Sequence, residues 1–174
     1  MKSKIKIVLY VLLFAFIAIQ IIRPEKNISA QTNNHLADSF TVSNELHQVL
    51  KTSCFDCHSN NTVYPWYANI QPVAWWLNDH VIEGKDELNF DEMAAYAPRR
   101  QYKKFEEIAE MINENEMPLT SYTFIHGDAQ LSEAQKKLIL DWCSSMQAEM
   151  KKKYTPEQLK RQRPQQPSKE QEHS

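Results

Sequence analysis

The chain opens with an apolar run from Ile7 to Ile19, extending through Gln20 to Ile22, behind Lys2, Lys4 and Lys6. From Ile5 onward this is about the shortest run able to span a bilayer at roughly 1.5 Å per helical residue. Residues 1–26 read as a retained anchor rather than a cleaved signal, because the apolar stretch is longer than a usual signal core and the only tolerable cleavage site nearby is around Ile28-Ser29-Ala30. The basic flank predicts a single span of the inner membrane, with the rest of the chain on the periplasmic side. Residues 27–39 are polar and aperiodic, and read as a linker.

Beyond the linker, apolar positions recur at helical spacing and no alternating strand pattern is found. A helix over Ser43–Ser53 follows from Val42, Leu46, Val49 and Leu50, and Cys54 and Cys57 continue that line. A second helix opens near Pro72, buries Val73, Trp76, Leu77, His80 and Val81, and stops at Gly84. A short third follows Asn89, with Glu92 as its capping partner and Phe90, Met93, Ala94 and Ala97 on its apolar face. The fourth, about Tyr102–Glu114, presents Phe105, Ile108, Ala109 and Ile112. The fifth opens on Ser132 and Gln135 and carries Leu138, Ile139, Trp142 and Met146. The expectation is a small all-α domain over 40–150, followed by a Gln-, Lys- and Pro-rich disordered tail over 151–174.

Charge changes this picture in one respect. The 174 residues carry a net charge of −2, yet residues 27–150 hold 8 basic and 18 acidic side chains, a net −10. An acidic domain disfavours nucleic acid, whose phosphates need a basic patch. It suits instead a redox partner with a basic docking surface. The chain has only two glycines and no Gly-rich phosphate loop, which disfavours nucleotide enzymes of that kind.

The chemistry is concentrated in Cys54-Phe55-Asp56-Cys57-His58. This is the C-x-x-C-H pattern of c-type haem attachment. Two thiols one helical turn apart reach the two vinyl groups of a porphyrin and form thioethers, and the next residue puts an imidazole under the iron. A zinc half-site would need a second ligand pair at recognisable spacing, and a thioredoxin-like pair would follow a strand. Met117, before Pro118 and 59 residues beyond His58, is the candidate sixth ligand. Thioether ligation favours ferrous iron and raises the potential. His80 is the rival; Met111 and His126 are poorer candidates, and Cys143 reads as an inert buried thiol. Tyr64-Pro65-Trp66-Tyr67 and Trp75-Trp76 could wall the porphyrin, with Trp76 on the apolar helical face.

The run from Ser53 to Thr62, then Tyr64-Pro65-Trp66-Tyr67, then Trp75 to His80, resembles the bacterial haem-binding domain family. Glu116-Met117-Pro118-Leu119 and Tyr122 to His126 match it as well, so the resemblance covers about residues 8–145. It implies an exported, anchored domain of cytochrome c-like fold around one covalent haem c, in a family without a well-defined activity. The layout is also similar to small class I cytochromes c. On that resemblance Pro72 would offer its carbonyl to the axial histidine, Met117 would ligate the iron and Trp142 would lie in the closing helix. Two departures are visible: Pro72 follows Gln71 rather than a glycine, and the segment Trp75–Tyr96 is unlike a minimal cytochrome.

The function expected from these residues is a membrane-tethered periplasmic electron carrier with His/Met-ligated iron. Two alternatives stay open. A haem peroxidase would use an open sixth position beside His80, His126, Arg99 or Arg100, and a haem-based sensor would bind small gases there.

Overall fold

The computed structural model describes residues 2–160, and among them the chain is all-α, with no strand. Helix α1 covers Lys2–Ile19, α2 Asn44–Ser53, α3 Phe55–His58 and α4 Val73–Glu87. Then come α5 at Pro98–Asn113, α6 at Thr120–Thr123, α7 at Glu133–Lys153 and α8 at Pro156–Leu159. Short 3₁₀ turns at Leu36–Asp38, Trp66–Asn69, Met93–Ala95 and Gly127–Ala129 join them.

The helix starts obey local chemistry. Ser43 caps α2 by accepting the Leu46 N–H, and Ser132 with Gln135 forms a reciprocal capping box at α7. α5 begins at Pro98, four residues before the apolar stripe becomes regular, because proline suits the first helical position. Replacing Ser132 with alanine is expected to lower stability by about 1 kcal/mol, the usual cost of a lost cap, measured by chemical denaturation.

α5 packs on α7, and α2 completes that layer. Phe105 lies at its centre, fully buried, with its ring edge-on to Trp142 at 5.1 Å and to Phe40 at 4.9 Å. The Trp142 indole N–H donates to the Thr41 carbonyl at 3.0 Å, so the polar atom of that ring is satisfied.

Several expectations are corrected. No helix among the described residues is long and apolar enough to cross a membrane. α1 contains Lys2, Lys4 and Lys6, and its uncharged part from Ile7 to Ile19 extends only about 20 Å at 1.5 Å per residue, against a hydrocarbon core of roughly 30 Å. The residues that would lengthen it are used elsewhere. The Gln20 amide pairs with both the N–H and the carbonyl of Gln71, at 2.9 and 3.2 Å. The Ile22 carbonyl accepts from Gln71 Nε2 and Trp75 Nε1. The inner-membrane span, and with it the periplasmic placement of the domain, is therefore withdrawn.

Residues 27–39 are not a free linker either. The Asn27 amide donates to the Ser59 carbonyl and to Thr62 Oγ1, and Leu36 is completely buried in the core. The expected third helix is only the 3₁₀ turn Met93–Ala95. At the other end, α7 continues past 150 to Lys153, and α8 buries Leu159. The rest of the expected tail, 161–174, lies outside the described residues.

Candidate functional site

The C-x-x-C-H segment forms a tight turn after α2. Cys54 ends α2, and its carbonyl accepts the N–H groups of both Cys57 and His58, at 3.2 and 3.0 Å. The single-turn helix α3, with Cys54 as its N-cap, thus presents two thiols and one imidazole within five residues. α4 lies against this turn because of Gly84: a Cβ built there would sit 2.8 Å from the Cys57 carbonyl oxygen and 3.2 Å from the Cys57 Cβ. Gly84 was expected to stop the helix, yet α4 runs on to Glu87. Its role is close approach.

The chain then returns along the far side of the turn. Phe90 N–H donates to the His58 carbonyl at 2.8 Å, and the Asn60 N–H donates to the Asp91 carboxylate at 2.8 Å. Asn89 donates from Nδ2 to the Asn60 side-chain oxygen at 2.8 Å and accepts the Asp91 N–H at 3.0 Å. Asn60, Asn89 and Asp91 are buried, and each of these polar contacts is made inside the fold. This clamp fixes residues 88–91 beside the turn. As a result the Leu88 carbonyl lies 2.9 Å from His58 Nδ1.

That contact corrects the expected role of Pro72. Pro72 is exposed and precedes α4, and the carbonyl that orients His58 comes from Leu88. With Nδ1–H donated to Leu88, Nε2 is the nitrogen left for a metal. Burial holds the imidazole below its usual range, while its contacts with the Leu88 and Gly84 carbonyls work the other way and the Lys104 charge lowers it further. A neutral imidazole is the form a metal ligand requires.

Two joined cavities open beside the turn. The first, about 410 Å³, is walled mainly by Leu50, Leu88, Phe90, Ile108, Ile112 and Ile139. The second, about 300 Å³, lies toward His80, Gly84, Leu119 and Tyr122. Cys54, His58, Met117 and Pro118 line both, so the two are lobes of one cleft. Each lies within the roughly 300–1,000 Å³ of small-molecule sites. Burial pushes the Cys54 thiol up to about 12, and the Cys57 thiol up to about 11, so both are protonated at neutral pH. Protonated thiols are poor redox nucleophiles.

The structure brings some expected residues to the cleft and leaves others away. Met117 faces both lobes, His80 faces the second, and Met111 lines the first although it sits off the apolar stripe of its helix. His80 Nδ1 is 2.8 Å from the Trp76 carbonyl. Trp76 is 45% exposed, lines neither lobe, and packs its ring at a tilt against His80, with the ring centres 4.3 Å apart. It is not a wall of the cleft. Arg99 lines neither lobe, and the Arg100 guanidinium sits over the Tyr96 ring at 3.9 Å. His126 is stacked on Tyr122 and bonded through Nε2 to the Tyr67 hydroxyl at 2.5 Å. Cys143 is buried as expected, and burial raises its thiol.

Sequence reasoning missed Leu88, Lys104 and the Asp56–Tyr122 pair. Tyr122 Oη donates to the Asp56 carboxylate at 2.7 Å, which ties the loop carrying Leu119 to the middle of the C-x-x-C-H segment. Burial and that carboxylate together hold the Tyr122 hydroxyl protonated.

The haem-binding domain family matches residues 14–145. The chain belongs to the haem-binding domain family. No curated protein and no solved structure matches the chain. Membership in the haem-binding domain family supports haem as the cofactor, and the cleft fits it. Its walls are apolar enough for a porphyrin face, a neutral imidazole lines it, and two thiols stand at its edge.

Proposed function

We propose that this haem-binding domain carries one haem c, joined covalently to Cys54 and Cys57 and ligated by His58, and that it works as an electron carrier. The observation behind the reading is that Cys54, His58 and Met117 line both lobes of the same apolar cleft. Each thiol adds across one vinyl group: sulfur bonds to one vinyl carbon, the thiol hydrogen ends on the other, and nothing is oxidised or reduced. Haem, when bound, supplies a one-electron couple.

The protein's own residues supply the rest. Leu88 orients His58, and the apolar walls exclude water, which lowers the local dielectric around a charge change. Met117 is the sixth ligand in this reading. Its placement on the loop between α5 and α6, facing both lobes, supports that role. The domain fold is then cytochrome c-like in layout, with Leu88 doing what proline does in the small class I proteins. The acidic surface favours a redox partner with a basic docking face.

The test is the optical spectrum and potential of the purified holoprotein. Met117→Ala is expected to remove the methionine-to-ferric-iron charge-transfer band and to lower the potential. An unchanged spectrum would exclude Met117 as a ligand. His80 is the second reading, favoured by its place on the wall of the second lobe with only Nδ1 engaged. In that case His80→Ala, and not Met117→Ala, alters the spectrum.

A further inference from the structure

We propose that Lys104 is the carboxylate-binding group of the cleft, and that its ammonium takes a propionate of the bound tetrapyrrole. The inference rests on the haem reading above and assigns the orientation of that ligand. A haem carries two carboxylates on the edge opposite its vinyl groups, and these must find either solvent or a cation.

The charged groups around the cleft make the assignment. The first lobe meets Glu87, Lys104 and Glu107, and the second meets Asp56, Glu83 and Glu87 beside the imidazoles of His58 and His80. Among the residues lining the two lobes, Lys104 is the one amino or guanidinium cation. The other charged side chains on this rim, Asp56, Glu83, Glu87 and Glu107, are carboxylates. With the vinyl edge at Cys54 and Cys57, on the turn after α2, the propionate edge is drawn toward α5.

Lys104 is placed for this by helical spacing. It precedes Ile108 and Met111 by four and seven residues, so all three share one stripe of α5, and all three line the first lobe. Its side chain is only 12% exposed. Lys103, one position earlier, is 54% exposed and pairs outward with Glu106 and Glu107. The Lys104 ammonium is held by Glu107 at 2.6 Å and Glu87 at 3.3 Å. Glu87 is 81% exposed, so its release to water costs little and leaves a donor direction for an incoming carboxylate.

The experiment uses the full chain with Cys54→Ser and Cys57→Ser, which makes the tetrapyrrole exchangeable. Iron protoporphyrin IX and its dimethyl ester are titrated separately and followed by Soret absorbance, with circular dichroism reporting the fold of each variant. Lys104→Met is expected to weaken the diacid about tenfold or more, as for a lost charge-assisted hydrogen bond, and to leave the ester unchanged. Lys103→Met, which removes the same charge outside the cleft, leaves both affinities unchanged, and Lys104→Arg retains most of the preference for the diacid. Equal weakening of diacid and ester by Lys104→Met overturns the proposal, since packing would then be the cause. So does an equal effect of the two lysine variants, or no effect. A parent that takes up neither porphyrin overturns the haem reading itself, whereas one that takes up both equally overturns only the role of Lys104.

Discussion

Replacing Cys54 and Cys57 together with alanine is expected to turn a haem that resists acidic organic extraction into one that is fully extractable. The pyridine adduct should then show the spectrum of unsaturated vinyl groups in place of that of thioethers. Single replacements give one thioether and an intermediate spectrum. The basis is that the two thiols share one turn and stand at the edge of one cleft. His58→Ala separates attachment from ligation. It leaves the thiols in place but removes the imidazole, so a covalently bound, high-spin haem is expected. Full extraction of haem from the unmodified chain would sink the covalent reading. A low-spin spectrum unchanged in His58→Ala would remove His58 from the iron.

The second large effect concerns Gly84, which no chemical motif singles out. In the interior of an exposed helix, Gly→Ala adds about 1 kcal/mol of stability through backbone propensity. Here the added methyl would meet the Cys57 carbonyl oxygen at 2.8 Å, and that neighbour is backbone, which cannot rotate away. Overpacking of this kind costs about 1–3 kcal/mol. Gly84→Ala is therefore expected to lower stability on balance, by about 1 kcal/mol, and Gly84→Val by about 3 kcal/mol or more, because its branched side chain also lacks space. Denaturant midpoints of the two variants measure this. The same displacement shifts the end of α4 and the Leu88 carbonyl that orients His58, so the haem spectrum should change in step with stability. A stabilised Gly84→Ala protein would show that α4 does not press on the C-x-x-C-H turn.

These two results probe different layers of information. Helix starts were readable because their signals are local. Ser43 with Leu46 and Ser132 with Gln135 act within three residues of themselves, whereas the start of α5 at Pro98 precedes the expected one at Tyr102. The acidic character of residues 27–150 was likewise a matter of counting. Pro72 was expected to hold His58 only on the resemblance to small class I cytochromes c, and Leu88 does so instead. Trp76 was misjudged for a different reason. Helical periodicity assigns a face, but it does not say what lies opposite, and α4 turns Ala74, Leu77 and Val81 inward while Trp76 stays 45% exposed. The N-terminal run was misjudged because hydropathy does not reveal where a helix ends. Gln20 and Ile22 leave the helix to bond with Gln71 and Trp75, some fifty residues away.

By itself the sequence determined the helical class of this protein and the identity of its chemical groups: two thiols and an imidazole in five residues, and a methionine in a later loop. Both follow from short-range rules, the period of a helix and the reach of neighbouring side chains. Only the tertiary structure decided which backbone carbonyl holds His58, why position 84 is glycine, and that Lys104 rather than Lys103 faces the cleft. Those are contacts between α3, α4 and α5. Their geometry depends on how helices far apart in the chain come to rest against one another, and no local pattern encodes that.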